Sequence, residues 1–356
     1  MMQIIKRAET SKTDNFKIRS IAILLSLLML GIFLIIIKLN PIEVYAALIK
    51  GSFGTIYSLR QTLIRAIPLI ITSLGIAVAF KMQFWNIGGE GQIVMGAFAA
   101  SFFALRFPDM DKLPLLLIMF CAGVIGGGLW ALIAAVLKGR WKTNETIVTL
   151  MLNYIALKFI TYLKYGPWKD KNSMGFPKIP SFSPNATLPD VLGINIGWII
   201  SIILVIIVYI FMKYTKKGYE ISVLGESEKT ATYAGINIRK TMYIAIFISG
   251  ALCGIAGVIQ ASAVSRTLSV EVAGGAGFTA IIIAWLSALS APIIVIVSIL
   301  FAALLEGASY IQTALGIPQA AAQLIQAIVL FFVLGSEFFT KYKIKFKSLD
   351  MRKEAK

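Results

Sequence analysis

The sequence predicts an all-α polytopic membrane protein with about ten transmembrane helices, and three observations support this fold class. First, 58% of the 356 residues are hydrophobic and only 14% are charged, whereas soluble domains contain about 45–50% apolar and about 25% charged residues. Second, apolar runs long enough to cross a hydrocarbon core of about 30 Å recur along the chain. Third, Lys and Arg residues cluster in a few of the polar segments between these runs.

Histidine content, cysteine positions and net charge narrow the kinds of site. The chain has no histidine, and its two cysteines, Cys121 and Cys253, both lie inside apolar runs. This pattern argues against zinc sites, disulfide frameworks and Cys–His nucleophiles, so we expect no metal site. The net charge of +17 would suggest nucleic acid in a soluble protein. In this apolar chain the positive charge is better explained by basic residues that flank the spans and contact anionic lipid. We therefore expect no nucleic-acid partner.

The chain begins with a basic segment and a first span. Residues 1–19 are polar and basic, and we expect them to be cytoplasmic. Residues 20–37 form an unbroken apolar run. A cleaved signal peptide begins similarly, but this run is long and further spans follow it, which favours an uncleaved span. Residues 38–60 are mixed in character, and we expect them outside, partly as an interfacial helix.

Nine further spans are predicted from the apolar runs. They cover residues 62–80, 92–105, 114–137, 145–163, 195–212, 241–261, 278–289, 293–311 and 321–335. Because the segments 92–105 and 278–289 are short, a total of eight or nine spans remains open.

The positions of the basic residues predict the orientation. The N-terminal segment, the loop after the fourth span, residues 213–240 and the tail hold five, three, six and seven Lys or Arg residues. Such clusters remain on the cytoplasmic side, so we expect both termini there. The resulting domain organisation is a transmembrane domain over 20–335, with halves 20–163 and 195–335, an external loop 164–194 that carries four lysines as an exception, a cytoplasmic loop 213–240 and a basic tail 336–356.

A short sequence pattern that occurs twice suggests that the two halves are inverted repeats. Residues 88–91 read Gly-Gly-Glu-Gly after the second span, and residues 274–277 read Gly-Gly-Ala-Gly after the seventh. An offset of five spans is odd, so the two copies would have opposite topology. Glycine-rich helix breaks at matching positions of inverted halves indicate a transport pathway. Glycine-rich turns are also common between membrane helices, and this alternative stays open.

Polar and aromatic residues at these breaks and inside spans are the candidates for lining a solute pathway. Glu90 is a functional candidate because a carboxylate near hydrocarbon is costly unless it is paired. Alternatively, it pairs with Lys81 and only holds the turn. Trp85 stacks a flat solute or anchors the chain at the interface, and Asn and Gln residues commonly form interhelical hydrogen bonds. The candidates are Phe84, Trp85, Asn86, Glu90, Gln92, Asn153, Gln260 and Glu306.

Residues 213–240 form a long polar segment between the halves and contain the signals of a short helix. Ser227 is a suitable N-cap, residues 228–234 can form about two turns, and Gly235 can end them. The chain has no Gly-x-x-x-x-Gly-Lys-Ser/Thr sequence, so it has no P-loop of its own for ATP. If transport is active, a soluble partner must supply the energy, and this segment offers a surface for it.

Three separated motifs resemble the permeases of bacterial ABC importers in the branched-chain amino acid, ribose and nucleoside group. They are residues 84–92 (FWNIGGEGQ), residues 144–154 (NETIVTLMLNY) and residues 235–237 (GIN) ahead of 249–257 (SGALCGIAG). The sequence is most similar to nucleoside (guanosine-type) uptake permeases, and the resemblance extends over residues 60–335. Two stretches depart from the family pattern. Residues 225–229 are more acidic, and residues 284–290 read AWLSALS where relatives tend to have Gly and Asn before the proline.

The resemblance implies a non-enzymatic transport subunit in a bacterial cell membrane, with ten spans in two inverted halves. It implies a second, non-identical permease, an ABC ATP-binding subunit that binds the ATP, and an extracytoplasmic substrate-binding lipoprotein. No cofactor is expected in this chain. The residues that it assigns to coupling with the ATPase are Tyr219, Gly225, Glu226, Ser227, Tyr233, Ala234, Gly235 and Ile236.

Several functional alternatives stay open at this point. The expected solute is a nucleoside, and riboflavin or a simple sugar would use the same machinery. A standalone secondary transporter or channel is the main alternative of another class, and it would need no ATPase. A scaffold protein fits less well, because polar groups stand at broken helices.

Overall fold

A computed structural model describes residues 2–6, 12–171, 173 and 175–346, and helices account for most of them. The helices are α1 (Lys12–Ile36), α2 (Pro41–Phe53), α3 (Ile56–Lys81), α4 (Gly89–Arg106), α5 (Lys112–Trp141), α6 (Glu145–Tyr165), α7 (Gly197–Tyr214), α8 (Lys216–Glu226), α9 (Glu228–Tyr233), α10 (Ile238–Ile259), α11 (Ala276–Leu286), α12 (Ala291–Ala314) and α13 (Gln319–Lys341). A π-helical turn, Gln260–Ser265, continues α10, and Pro184–Ala186 form a 3₁₀ turn. Four short strands complete the fold: β1 (Met2–Lys6), β2 (Asp190–Val191), β3 (Ile194–Asn195) and β4 (Tyr342–Phe346).

Six of these helices are long and apolar enough to cross a membrane. They are α3, α5, α6, α7, α10 with its π turn, and α12. The pair α1 and α2, bent by 118° at a short break, adds a seventh if it is counted as one broken span. The chain is therefore a helical, multi-pass integral membrane protein, as predicted from its composition.

The helices differ in length from some of the predicted spans. The span predicted at 278–289 corresponds to α11, which has only eleven residues and is about 16 Å long, about half the thickness of a hydrocarbon core. The predicted span 92–105 corresponds to α4, which begins earlier, at Gly89, so Glu90 and Gln92 lie inside its first turn. The segment 38–60 contains a helix, as predicted, which is α2.

The fold divides into two compact units: unit 1 consists of Met1–Ser58 with Ala303–Lys356, and unit 2 is Leu59–Ala302. In unit 1, α1 packs against α13. Its buried core contains Leu30, Leu34, Val44, Ile311, Ile317 and Ile325. The strands β1 and β4 pair in antiparallel register, with Met2 opposite Phe346. The basic character of the two terminal segments did not predict this pairing.

Unit 2 has a core of three helices, α4, α5 and α10, that pack closely on one another. Their glycines allow backbones to touch. A Cβ atom on Gly96 would lie 2.3 Å from the Cα of Gly254, and one on Gly127 would lie 2.4 Å from the carbonyl oxygen of Gly250. Small residues spaced four apart are typical of close helix contacts in membranes. The glycines of α4, α5 and α10 therefore account for the close packing of this core.

Residues 164–194 pack on the π turn at the end of α10. The amide of Phe182 donates to the carbonyl oxygen of Arg266, and the amide of Leu188 donates to that of Ser262. The hydroxyl of Thr267 donates to the carbonyl oxygens of Ile179 and Pro180 at 3.1 Å each. The strands β2 and β3 form a two-residue hairpin before α7.

Candidate functional site

The first glycine-rich break, residues 82–88, connects α3 to α4. Gln83 adopts a left-handed backbone conformation with φ +57°, which turns the chain directly after α3. Phe84 is buried, and the Lys138 ammonium group lies 4.9 Å from the centre of its ring. Phe84 is thus part of the support of the break, although the sequence placed it among the pathway candidates.

Asn86 organises the break through four hydrogen bonds. Its Nδ2 donates to Gln92 Oε1 at 3.2 Å and to Ser249 Oγ on α10 at 3.0 Å. Its Oδ1 accepts from Gln92 Nε2 at 2.9 Å and from the amide of Gly88 at 3.0 Å. Asn86, Gln92 and Ser249 are fully or almost fully buried. Because a buried polar group is costly without partners, this network fixes the path of the chain.

Helix α6 satisfies the remaining backbone groups of the break. Asn153 Nδ2 donates to the carbonyl oxygen of Ile87 at 2.9 Å, and Asn153 Oδ1 accepts from the amide of Gly91 at 2.8 Å. The hydroxyl of Thr149 accepts from the amide of Ile87 at 3.2 Å. One buried asparagine therefore satisfies a carbonyl oxygen of the break and an amide in the first turn of α4.

Glu90 joins the first break to the second one, residues 266–275, which precede α11. Its Oε1 accepts from the amide of Gly275 and its Oε2 from the amide of Gly277, both at 2.8 Å. The carboxylate therefore caps the N-terminus of α11, where free amides favour negative charge. Among the described residues, Lys81 is not a partner of Glu90, so the ion pair considered as an alternative is wrong.

Glycine at 277 is required by the closeness of the two breaks. A Cβ atom at Gly277 would lie 2.1 Å from the amide nitrogen of Glu90. The two Gly-Gly-x-Gly sequences that the sequence analysis paired by pattern therefore lie against each other in the fold.

Three aromatic rings gather beside the first break. Trp85 stacks on Trp285 of α11 with ring centres 5.5 Å apart and planes 29° apart. Phe80 of α3 contacts both, at 5.5 Å and 5.7 Å. Trp85 remains 45% exposed. The cluster therefore presents an accessible aromatic surface next to the buried polar network.

The hydrogen bonds described above do not involve the other two pathway candidates. Gln260 is half-buried and begins the π turn at the far end of α10. Glu306 is half-buried on α12 within unit 1. The residues that the structure brings together are thus Asn86, Glu90, Gln92 and Asn153, with Phe84 and Trp85 beside them.

The segment 213–240 contains the predicted short helix. Ser227 caps α9 by accepting from the amide of Thr230 at 3.2 Å. At the other end, Gly235 has φ +70°. The amide of Ile236 donates to the carbonyl oxygen of Ala231, and that of Gly235 donates to Thr232, which completes a Schellman motif. Both predicted helix boundaries are confirmed.

Helix α8 also lies in this segment and packs directly on the first break. A Cβ atom at Gly225 would lie 1.9 Å from the carbonyl oxygen of Lys81. Gln83 Nε2 donates to the carbonyl oxygen of Gly225 at 2.6 Å. Helix α8 is therefore in direct contact with the residues that begin the break.

A buried carboxylate fastens α8 to the start of α10. Glu220 Oε2 accepts from Lys217 Nζ at 2.5 Å and from Thr241 Oγ1 at 2.9 Å. The hydrogen bond from Lys217, together with that from Thr241, lowers the pKa of Glu220 below its ordinary value despite partial desolvation. Helix α8 is thus held to the end of α3 through Gly225 and to the start of α10 through Glu220.

The outward surface of the segment has exposed tyrosines among charged residues of both signs. Tyr219 is 65% exposed and Tyr233 is 92% exposed. Glu226, Ala234 and Gly235 are also exposed. Exposed tyrosines with a polar surround are common in protein–protein contacts.

Sequence reasoning missed four residues of this arrangement: Gln83, Thr149, Ser249 and Glu220. The first three lie within or beside the motifs that carry the family resemblance, which is the signal that pointed toward them. Glu220 had only one signal, its position as a carboxylate between apolar residues.

Comparisons with known proteins agree with this architecture. The family model described as branched-chain amino acid transport system / permease component matches residues 58–334. The glucose ABC transporter permease protein TsgB13 of Haloferax volcanii is 31% identical over 91% of this chain and 88% of its own length. The nucleoside ABC transporter permease protein NupB of Lactococcus lactis is 32% identical over 91% and 92%. The guanosine ABC transporter permease protein NupP of Bacillus subtilis is 30% identical over 94% and 96%.

The matched region contains both breaks, the segment 213–240 and the three-helix core of unit 2. The chain belongs to the branched-chain amino acid transport system permease component family of ABC transporters.

Proposed function

We propose that this permease subunit imports a nucleoside, delivered by an external lipoprotein and driven by ATP hydrolysis in a separate subunit. One observation carries the proposal: helix α8 of the segment 213–240 contacts the first helix break directly, and Glu90 connects that break to the second. Gly225 touches Lys81 and Gln83, and the same turn leads into the network of Asn86. Glu90 then connects this network to α11.

This series of contacts suggests how a movement of the partner subunit reaches the solute pathway. A partner bound at Tyr219 and Tyr233 would move α8 as a rigid body. Because Gly225 has no side chain, α8 and the end of α3 meet backbone to backbone, and a shift of one displaces the other. The breaks are held by hydrogen bonds rather than continuous helix, so they are the places where bending costs least.

The topology that we propose has ten spans, formed by α1, α3, α4, α5, α6, α7, α10, α11, α12 and α13. The pairing of β1 with β4 supports an even number, because it holds both ends of the chain on one side. Basic residues favour the cytoplasm for that side. The halves 20–163 and 195–335 would be inverted, with 164–194 external, 213–240 cytoplasmic, and 1–19 and 336–356 as cytoplasmic ends.

The partners follow from the family and from the sequence. An ABC ATP-binding subunit would dock on the coupling residues Tyr219, Gly225, Glu226, Ser227, Tyr233, Ala234, Gly235 and Ile236. ATP would bind that subunit, since this chain has no P-loop, and the chain itself would need no cofactor and catalyse no reaction. A second, non-identical permease and a substrate-binding lipoprotein would complete the importer.

A nucleoside is the solute that we favour. Two relatives that cover nearly the whole chain are named for nucleosides or guanosine. The stacked pair Trp85 and Trp285 supports this choice, because aromatic faces bind flat bases well. A relative named for glucose makes a sugar the second candidate. In this proposal Gln260 and Glu306 are further pathway residues.

Reconstitution tests the proposal. The chain is assembled in liposomes with an ATP-binding subunit, a second permease subunit and a binding lipoprotein, and uptake of labelled guanosine is measured with and without ATP. We expect ATP-dependent uptake that unlabelled inosine competes and that glucose and riboflavin do not. Competition by glucose or riboflavin alone would reassign the solute. Transport at full rate by this chain alone, without ATP, would instead identify a secondary transporter or channel.

A further inference from the structure

A cavity in unit 2 lies beside the contact between Gly225 and Lys81. Its volume is about 240 Å³, and it lies between α3, α7, α8 and the start of α12. Most of its wall is apolar, including Leu74, Val78, Val208, Met212 and Ile294. It is therefore a lipid-like environment within the bundle, open to the exterior at one side.

Two lysines stand at the same cavity. Lys81, at the end of α3, and Lys213, near the end of α7, both line it and are both exposed. Within the part of the chain that the structure describes, no acidic side chain lines the cavity. Lys213 is held in place by Tyr209, whose hydroxyl lies 3.0 Å from Nζ. An uncompensated double positive charge beside an apolar groove favours a ligand with an anionic head and an apolar tail.

Hydroxyl groups at the cavity provide hydrogen-bond donors for a lipid headgroup. Tyr209, Ser222 and Ser290 line the cavity together with the lysines. Lysines that end membrane helices lie at the level of lipid headgroups, and their positive charge attracts anionic lipid there. The two residues before Ser290 have a left-handed backbone conformation: Ala288 has φ +47° and Leu289 has φ +58°. Non-glycine residues in this conformation are strained, and such strain is concentrated at functional sites.

We propose that this cavity binds one anionic phospholipid, with its phosphate between Lys81 and Lys213 and one acyl chain along Leu74, Val78 and Met212. The lipid would contact the coupling helix α8 through Ser222 and the strained link through Leu289 and Ser290. It would thereby brace α8 against α3 and α7 beside the contact between Gly225 and Lys81.

The test measures lipid retention by the full chain, purified from nanodiscs that contain equal phosphatidylglycerol and phosphatidylcholine, using native mass spectrometry. We expect one retained phosphatidylglycerol per chain. Each lysine near an anionic headgroup accounts for about a fivefold preference, so Lys81→Gln/Lys213→Gln should lower the preference about 30-fold. The control Lys216→Gln/Lys229→Gln removes the same charge from exposed positions outside the cavity and should change it less than about twofold.

Four results would overturn the proposal. Equal loss in the test and control variants would mean that general surface charge attracts the lipid, and no loss in either would mean that the lysines do not bind it. In Met212→Trp, which fills the apolar part and keeps both lysines, unchanged retention would exclude the cavity. Displacement of bound lipid by free glycerol 3-phosphate would assign the site to a soluble phosphate compound instead.

Discussion

Glu90 accepts a 2.8 Å hydrogen bond from the amide of Gly277, a residue 187 positions away in the chain. This contact brings together two helix breaks that the sequence related only by their glycine pattern. A carboxylate can hold two amides at once, and the second bond, from Gly275, uses its other oxygen. The bond therefore ties the first half of the permease to the second at the point where both are irregular.

Replacing Glu90 by Gln should impair transport without preventing insertion. The amide group of Gln offers one acceptor oxygen where Glu90 offers two, so one buried amide loses its partner at a cost of about 1–3 kcal/mol. We expect guanosine uptake to fall at least about fivefold while the amount of protein in the membrane stays constant. The matched control is Glu271→Gln, an exposed residue near the same break. Equal uptake by both variants would contradict a role for Glu90 in transport, and loss of expression alone would make it structural.

Replacing Gly225 by Ala should separate ATP hydrolysis from uptake. The new Cβ atom would lie 1.9 Å from the carbonyl oxygen of Lys81, so α8 must move away from α3. We expect the assembled importer to keep its ATPase activity and to lose about tenfold in uptake. Gly335→Ala is the control, because that glycine has open space around it. Unchanged uptake per ATP hydrolysed would show that the contact does not transmit motion.

Replacing Gly235 by Val tests the end of α9 separately from any clash. No atom lies within 4 Å of the position, but φ is +70°, so the β-branched residue adds backbone strain rather than overlap. Strain of about 1–2 kcal/mol would unwind the Schellman turn, and we expect uptake to fall several-fold at unchanged ATPase activity. Gly175→Val, with φ +87° in the loop 164–194, carries the same strain elsewhere. If both variants transport equally, α9 does not need this terminus.

The stability contributed by Glu220 should depend on pH in a defined direction. Its folded pKa is lowered by Lys217, so its stabilisation is complete above the unfolded value of 4.5 and is lost as the pH falls through the folded pKa. We expect the melting temperature of the chain to exceed that of Glu220→Gln by a constant amount at neutral pH. The difference should shrink toward zero as the pH falls below 4.5. The exposed Glu226→Gln variant is the control, and a pH-independent difference would contradict the assignment.

Much of the fold could be predicted from local sequence signals. The features that could not be predicted depend on contacts between residues far apart in the chain. Ser227 and Gly235 marked the boundaries of α9 correctly, because caps depend on neighbouring residues. Helix α8 was not predicted, since only Ile221 and Leu224 mark its apolar face within a polar stretch. The partners of Glu90 were also unpredictable from spacing, because Gly275 and Gly277 belong to the other half.

Unit 1 is formed by two segments from opposite ends of the chain, and this affects how the protein is synthesised and inserted. Its core joins Leu30 and Leu34, from the start of the chain, to Ile325, near the end. During synthesis α1 enters the bilayer long before α13 exists, so it must wait without its final neighbour while unit 2, a continuous stretch of chain, assembles. We therefore expect nascent chains halted before residue 319 to leave α1 open to an insertase or to protease, and only the completed chain to protect it.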